Sequence, residues 1–254
     1  MIKKSLTILL TLLVILSFTA CGGGSASSSS DPGKHSKFAE SIQTIMDNKG
    51  TMYNKLTEKM PDEMVWASFD MLGVSIMDLD LAFVAACGTD GAKKGIELAF
   101  SMFGLTDVDY KENGTNYTVS AKNSKNVQIS YDIQYDKSTD SSKIKYMVDN
   151  KEQVYFESVR ISGGYGYIYQ SKSEDSDSEY YIVKGIVYDT GNGIFATGEL
   201  SAKLDSIYQN SSVFTTDFVK QGLANTYEVK DGKCYVLYDG KNYEYEAGTG
   251  ESEE

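Results

Sequence analysis

The feature that most constrains the fold is a change of hydrophobic period near residue 105, from helical spacing before it to alternation after it. Phe38, Ile42, Ile45 and Met46 recur at three- and four-residue steps, and Met52, Tyr53, Leu56 and Met60 repeat the pattern across Gly50. Pro61 with Asp62 and Glu63 marks a second helix start, because proline suits an early helical position and acids suit the positive end of the dipole. Met64, Val65, Trp66, Phe69 and Leu72 supply its apolar side. Ser75 with Asp78 reads as a capping pattern opening a separate run through Met77, Leu81 and Val84. Met77, Leu79, Leu81 and Phe83 alternate as well, so a strand fits the same residues. After the Gly88–Gly91 break, Ile96, Leu98, Ala99, Met102 and Phe103 read as one more buried helix, stopped by Gly104.

Beyond that point the period is two. Val127, Ile129, Tyr131, Ile133 and Tyr135 alternate with Gln128, Ser130, Asp132 and Gln134, the pattern of a half-buried antiparallel strand. Asn113-Gly114 predicts a hairpin between Asp107–Glu112 and Thr115–Ala121, since both turn positions favour positive φ. Further strands are expected over Lys143–Asp149, Gln153–Ile161, Tyr165–Lys172, Glu179–Asp189 and Ile194–Leu200. Their short connections make sequence neighbours sheet neighbours. Ala202–Tyr208 and Thr216–Leu223 read as short helices, and Asp231-Gly232 and Asp239-Gly240 join three last strands, Tyr227–Lys230, Cys234–Tyr238 and Tyr243–Glu246. Helices followed by a run of hairpins imply an α+β fold: an N-terminal helical layer packed on a long antiparallel β-meander, whose twist curls it toward a half-barrel. The folded unit is expected over 37–247, with helices in 37–104, the meander in 105–200, short helices and a terminal meander in 201–247, and an acidic tail over 248–254.

The chain opens with Lys3 and Lys4, an apolar run from Leu6 to Phe18, and the small residues Thr19 and Ala20. Such a segment over 1–20 has the plan of a secretory signal, and its apolar stretch falls short of the roughly 20 residues that span a bilayer. Phe18-Thr19-Ala20-Cys21 resembles the lipobox of bacterial lipoproteins, departing from the commonest pattern at Phe18. The resemblance implies a diacylglyceryl group on Cys21, which becomes the mature N-terminus, and attachment to the outer face of a bacterial membrane. Residues 21–36, Gly/Ser-rich, then form a tether with a reach of about 20 Å. By element order alone, the outline is also similar to curved-sheet lipoproteins that carry lipids or other apolar molecules.

Composition removes several classes. Formal charge is −12, and loss of Lys3 and Lys4 with the signal takes it to −14. Nucleic acid is not an expected partner, because phosphate binding needs a concentrated basic surface. Arg160 is the sole arginine, which disfavours bidentate clamps on phosphate. The sole histidine, His35, lies in the tether, so the domain has no Ser-His-Asp or Cys-His pair, and no catalytic residue is assigned. No cofactor motif is present: Gly88–Gly95 lacks the spacing of a phosphate-binding loop. No metal site is expected either. Asp107, Asp109 and Glu112 fail as a calcium loop because Lys111 and Glu112 stand at ligand and glycine positions, and Glu174, Asp175, Asp177 and Glu179 read as a solvated hairpin tip.

Two residue sets remain. Cys87 and Cys234 are candidates for a disulfide, the alternative being two buried thiols. Tyr165, Tyr167 and Tyr169 share one strand face, and with Tyr180 and Tyr188 from the next strand they make a candidate ligand-binding strip; the alternative is ordinary half-buried sheet tyrosine. The expected function is that of a non-enzymatic binding lipoprotein, holding a small, apolar or extended ligand on a curved sheet. A subunit docking on another envelope protein is the second reading, and a hydrolase with paired carboxylates the third.

Overall fold

A computed structural model describes residues 36–172 and 179–250. The signal segment, Cys21, His35, the acids at 174, 175 and 177, and the last four residues lie outside them. Helix α1 (Lys37–Glu58) is followed by a 3-10 turn (Asp62–Met64), α2 (Val65–Val84) and α3 (Ala92–Met102). Eleven strands then form one sheet in which each pairs antiparallel with its sequence neighbours: β1 (Thr106–Asn113), β2 (Asn116–Lys122), β3 (Gln128–Asp136), β4 (Ser141–Val148), β5 (Lys151–Ile161), β6 (Gly164–Lys172), β7 (Tyr180–Tyr188), β8 (Gly193–Leu200), β9 (Asn225–Lys230), β10 (Lys233–Tyr238) and β11 (Lys241–Glu246). β1 and β11 do not pair, so the sheet stays open. The α+β meander expected from the sequence is the observed fold.

The helices fill the concave side. α1 buries a stripe at Phe38, Ile42, Ile45, Lys49, Met52 and Leu56, spaced four and three residues apart. Phe38 meets the rings of Tyr117 on β2 and Tyr135 on β3. At the other end, the Lys55 carbonyl accepts from the Cys234 thiol of β10 and the Leu56 carbonyl from the Tyr245 hydroxyl of β11. One helix thus crosses the sheet from its second strand to its last. Each fully buried apolar side chain on that stripe contributes about 1.5–3 kcal/mol. Past β11 the chain returns to α1, where the Gly248 amide donates to the Lys55 carbonyl and Thr249 to Glu58.

The convex side of the central strands carries its own cover, the segment 201–224 with the short helix α4 (Thr216–Lys220). Ile182, Ile186, Ile194 and Ala196 form a second apolar cluster with Val219 and Leu223. Lys184, almost fully buried, donates to the carbonyls of Phe218 and Gln221, and burial lowers its pKa. Glu157, fully buried, pairs with Lys143 and accepts from Tyr155, Ser206 and the Ile207 amide.

Three local expectations are corrected. No helix starts at Ser75: α2 runs through it, and the Ser75 hydroxyl donates to the Met71 carbonyl one turn back. Ala202–Tyr208 is not helical, because the amides of Leu204 and Ile207 are taken by Gln170 and Glu157 of the sheet. The first hairpin turn is Gly114-Thr115, with Asn113 opposite Asn116 and only Gly114 at positive φ, the arrangement of a type II′ turn.

Candidate functional site

The concave face is lined by tyrosines whose hydroxyls converge on aspartates brought by α2 and one turn. Strand period places Tyr165, Tyr167 and Tyr169 of β6 on this face, and each meets a different part of the layer above. Tyr165 donates to Asp140 at 2.7 Å, as Tyr135 does at 3.0 Å, while Ser41 of α1 donates to the same carboxylate. Asp140 precedes β4 in the turn from β3, with φ of 48°. Tyr169 donates to Asp80 of α2 at 3.2 Å, and Tyr131 of β3 donates to it at 3.0 Å. Between them, Tyr167 lies under the ion pair of Lys49 and Asp78, with the ammonium 4.7 Å from its ring centroid. Gly185, opposite Tyr167 on β7, leaves room for that ring, and a Cβ there would overlap it.

A third carboxylate anchors the far end of α2. Asp70 accepts from Tyr181 of β7 at 3.1 Å, Thr197 of β8 at 2.9 Å and Tyr227 of β9 at 2.6 Å. Hydrogen bonds to charged acceptors contribute about 1.5–3 kcal/mol each when buried. α2 is therefore pinned at both ends, to β7–β9 through Asp70 and to β3 and β6 through Asp80.

Burial raises the Asp78 and Asp80 carboxyls, against Lys49 for the first and the two tyrosine hydroxyls for the second, both of which lower them. Burial, reinforced by Asp80, raises Tyr131 and Tyr169, and burial with Asp70 does the same to Tyr227. These phenols stay protonated and act as donors. The carboxylates of Asp70, Asp80 and Asp140 are occupied by them, so the arrangement fastens the helical layer to the sheet. Among the described residues, no group of three or more His, Cys, Asp or Glu is placed to hold a metal.

The five candidate tyrosines do not form one strip. Tyr165, Tyr167 and Tyr169 are 3%, 1% and 6% exposed beneath the helices. Tyr180 and Tyr188 face the convex side: Tyr169 pairs with Val183 and Tyr165 with Val187, which puts the odd-numbered residues of β7 on the concave face. The parity of the β6–β7 register separates them. Of the two readings of the cysteines, the structure has the buried thiols: Cys87 and Cys234 are both free and buried. Cys87 lies after α2, next to the turn that meets Tyr110 of β1 and Tyr117 of β2, whereas Cys234 is on β10 near the opposite edge. Sequence reading missed Lys49, Asp70, Asp78, Asp80 and Asp140. Lys49 carried a legible signal, a charge in phase with the apolar stripe of α1; Asp70 carried one too, three residues after Ala67 and one before Met71, both buried.

The outer surface of the helical layer is apolar as well. Trp66 and Phe69 of α2, Leu98 and Met102 of α3, and Phe103 just after it are between 44% and 68% exposed. Every exposed large apolar side chain among the described residues, apart from Tyr188 and Tyr235, belongs to this layer. A cleft of about 240 Å³ opens on the convex side beside β9–β11, but its charged lining is paired, Lys220 with Glu228 and Glu244 with Lys233. No helix among the described residues is long and apolar enough to cross a membrane. Comparison with protein-family models, with curated proteins and with solved structures finds no match.

Proposed function

We propose that this protein is an extracytoplasmic lipoprotein of non-enzymatic binding type, anchored through lipid on Cys21, which takes an apolar or extended ligand between its curved sheet and the layer of α2 and α3. The observation that carries the reading is that α2 is apolar on both sides. It buries Met71, Val74, Leu81 and Val84 toward the sheet while Trp66 and Phe69 stand in solvent. A helix apolar all round is suited to apolar surroundings on either side. Its polar fastening is concentrated at Asp70 and Asp80, which meet the sheet, and at Asp78, which meets Lys49 of α1.

The test is native mass spectrometry of the protein isolated gently from its own membrane, set against the same sample denatured. A mass excess beyond the lipid on Cys21 that vanishes on unfolding is expected. A bare domain, unchanged after incubation with lipid extracts, would turn the reading toward the second one, docking on another envelope protein, which the exposed aromatic pair Trp66 and Phe69 also favours.

A further inference from the structure

We propose that the outer face of α2 and α3 is a membrane-contacting surface that seats the domain on the bilayer carrying its own anchor. The proposal rests on the lipid-anchor reading above and adds to it which face turns toward the lipid. The first observation is directional. The exposed side chains Trp66, Phe69, Leu98, Met102 and Phe103 point away from the sheet, since the opposite sides of the same helices pack on it through Met71, Val74, Ile96 and Phe100. On α3 the outward stripe is Lys94, Leu98 and Met102, four residues apart, one turn of helix between each.

The second observation is where the tether enters. Ser36, the first described residue, has its hydroxyl 3.5 Å from that of Tyr117, and a Cβ on Gly88 would run into both groups. Gly88 belongs to the turn joining α2 to α3. The chain from Cys21 therefore meets the domain at the base of α3. A Gly/Ser segment of that length reaches about 20 Å, and α3 is itself about 16 Å long. A lipid on Cys21 thus holds the bilayer within range of Leu98 and Met102, which need only turn toward it.

The third observation is chemical. The protein is acidic, and an anionic lipid surface repels most of it. Lys93 and Lys94 stand on α3 beside the apolar stripe, Lys93 paired with Glu97 one turn on, so α3 itself carries a net charge of +1 and adds no repulsion of its own. A tryptophan with a phenylalanine one helical turn on, their ring centroids 5.7 Å apart, is the pairing that settles at the boundary of headgroups and acyl chains.

Trp66 is the sole tryptophan, so its emission reports this surface directly. The lipidated full-length mature protein is reconstituted into phosphatidylcholine vesicles containing brominated lipid, with and without phosphatidylglycerol. A blue shift, quenching by the brominated chains, and a roughly threefold loss of quenching by aqueous iodide are expected. The variant L98E/M102E, altered at two exposed positions, should remain bound through its lipid yet lose lipid quenching. Trp66 equally open to iodide with and without vesicles would overturn the proposal. So would concentration-dependent shielding of Trp66 in the absence of lipid, which would assign the face to a second copy of the chain. The N-terminal peptide is weighed in parallel: Cys21 without lipid would sink the anchor reading alone, and Trp66 on added vesicles would still decide the surface.

Discussion

Lys49 of α1 donates to Asp78 of α2 above the ring of Tyr167, so that one ion pair ties the two helices to each other at the centre of the concave face. Both side chains are largely buried, at 4% and 16% exposure. The pair is a buried junction between two helices that both pack on the sheet.

Breaking one half of this pair strands the other charge. Lys49→Met should destabilise the protein by about 3–5 kcal/mol, whereas Lys49→Met combined with Asp78→Leu should recover most of the loss. Urea unfolding of the two single variants and the double variant checks it. A double variant no better than Lys49→Met alone would show that the pair fixes the α1–α2 geometry rather than merely neutralising itself.

Tyr167 and Gly185 form a fitted pair across β6 and β7. Gly185→Ala should cost about 1–3 kcal/mol through overpacking, and Tyr167→Leu should relieve part of that penalty by removing the ring it strikes. A double-mutant cycle showing no coupling would contradict the contact.

The pH dependence has a definite sign. Burial raises the Asp78 and Asp80 carboxyls above their ordinary 3.8, so each binds its proton more tightly folded than unfolded. Their contribution to stability is fully present below 3.8 and declines as pH rises through the raised values. Asp109 and Asp136, held below the ordinary value by Lys111 and Ser138 respectively, contribute in the opposite sense and lose that contribution in acid. Asp80→Asn isolates one term: its stability relative to the wild type should improve as pH rises above 3.8, as read by urea midpoints across pH. A gap independent of pH would count against the buried carboxylate.

The thiols give a chemical check. Burial raises Cys87 strongly and Cys234 to about 11, so neither forms much thiolate near neutral pH. Both should resist iodoacetamide in the native protein and both should be alkylated on unfolding without reductant. Two unreactive cysteines in the unfolded, unreduced chain would mean a bridge.

All eleven strands and most of their turns were legible because they rest on local physics. Alternation at Ile129, Tyr131, Ile133 and Tyr135 needs only one buried face, and Asp231-Gly232 and Asp239-Gly240 take the positive φ values that a two-residue hairpin demands. The buried aspartates were less legible. A carboxylate in a helix reads as solvent-facing until a hydroxyl from a distant strand is known to meet it, and Asp70 is 157 residues from Tyr227. Likewise, Ser75 with Asp78 suggested a new helix start that packing along the whole length of α2 overrode.

The sequence by itself determined the order of elements, the hairpin turns and the apolar stripe of α1, because each depends on residues a few positions apart. Only the tertiary structure decided which way the tyrosines face. Side chains alternate strictly along a strand, so a one-residue difference in register between β6 and β7 sends Tyr169 to the concave face and Tyr180 to the convex one. That register depends on how the two strands pair over their full length. The same pairing brought Tyr165, Tyr167 and Tyr169 beneath Asp140, Lys49 and Asp80, turning a row of sheet tyrosines into the fastening of the helical layer.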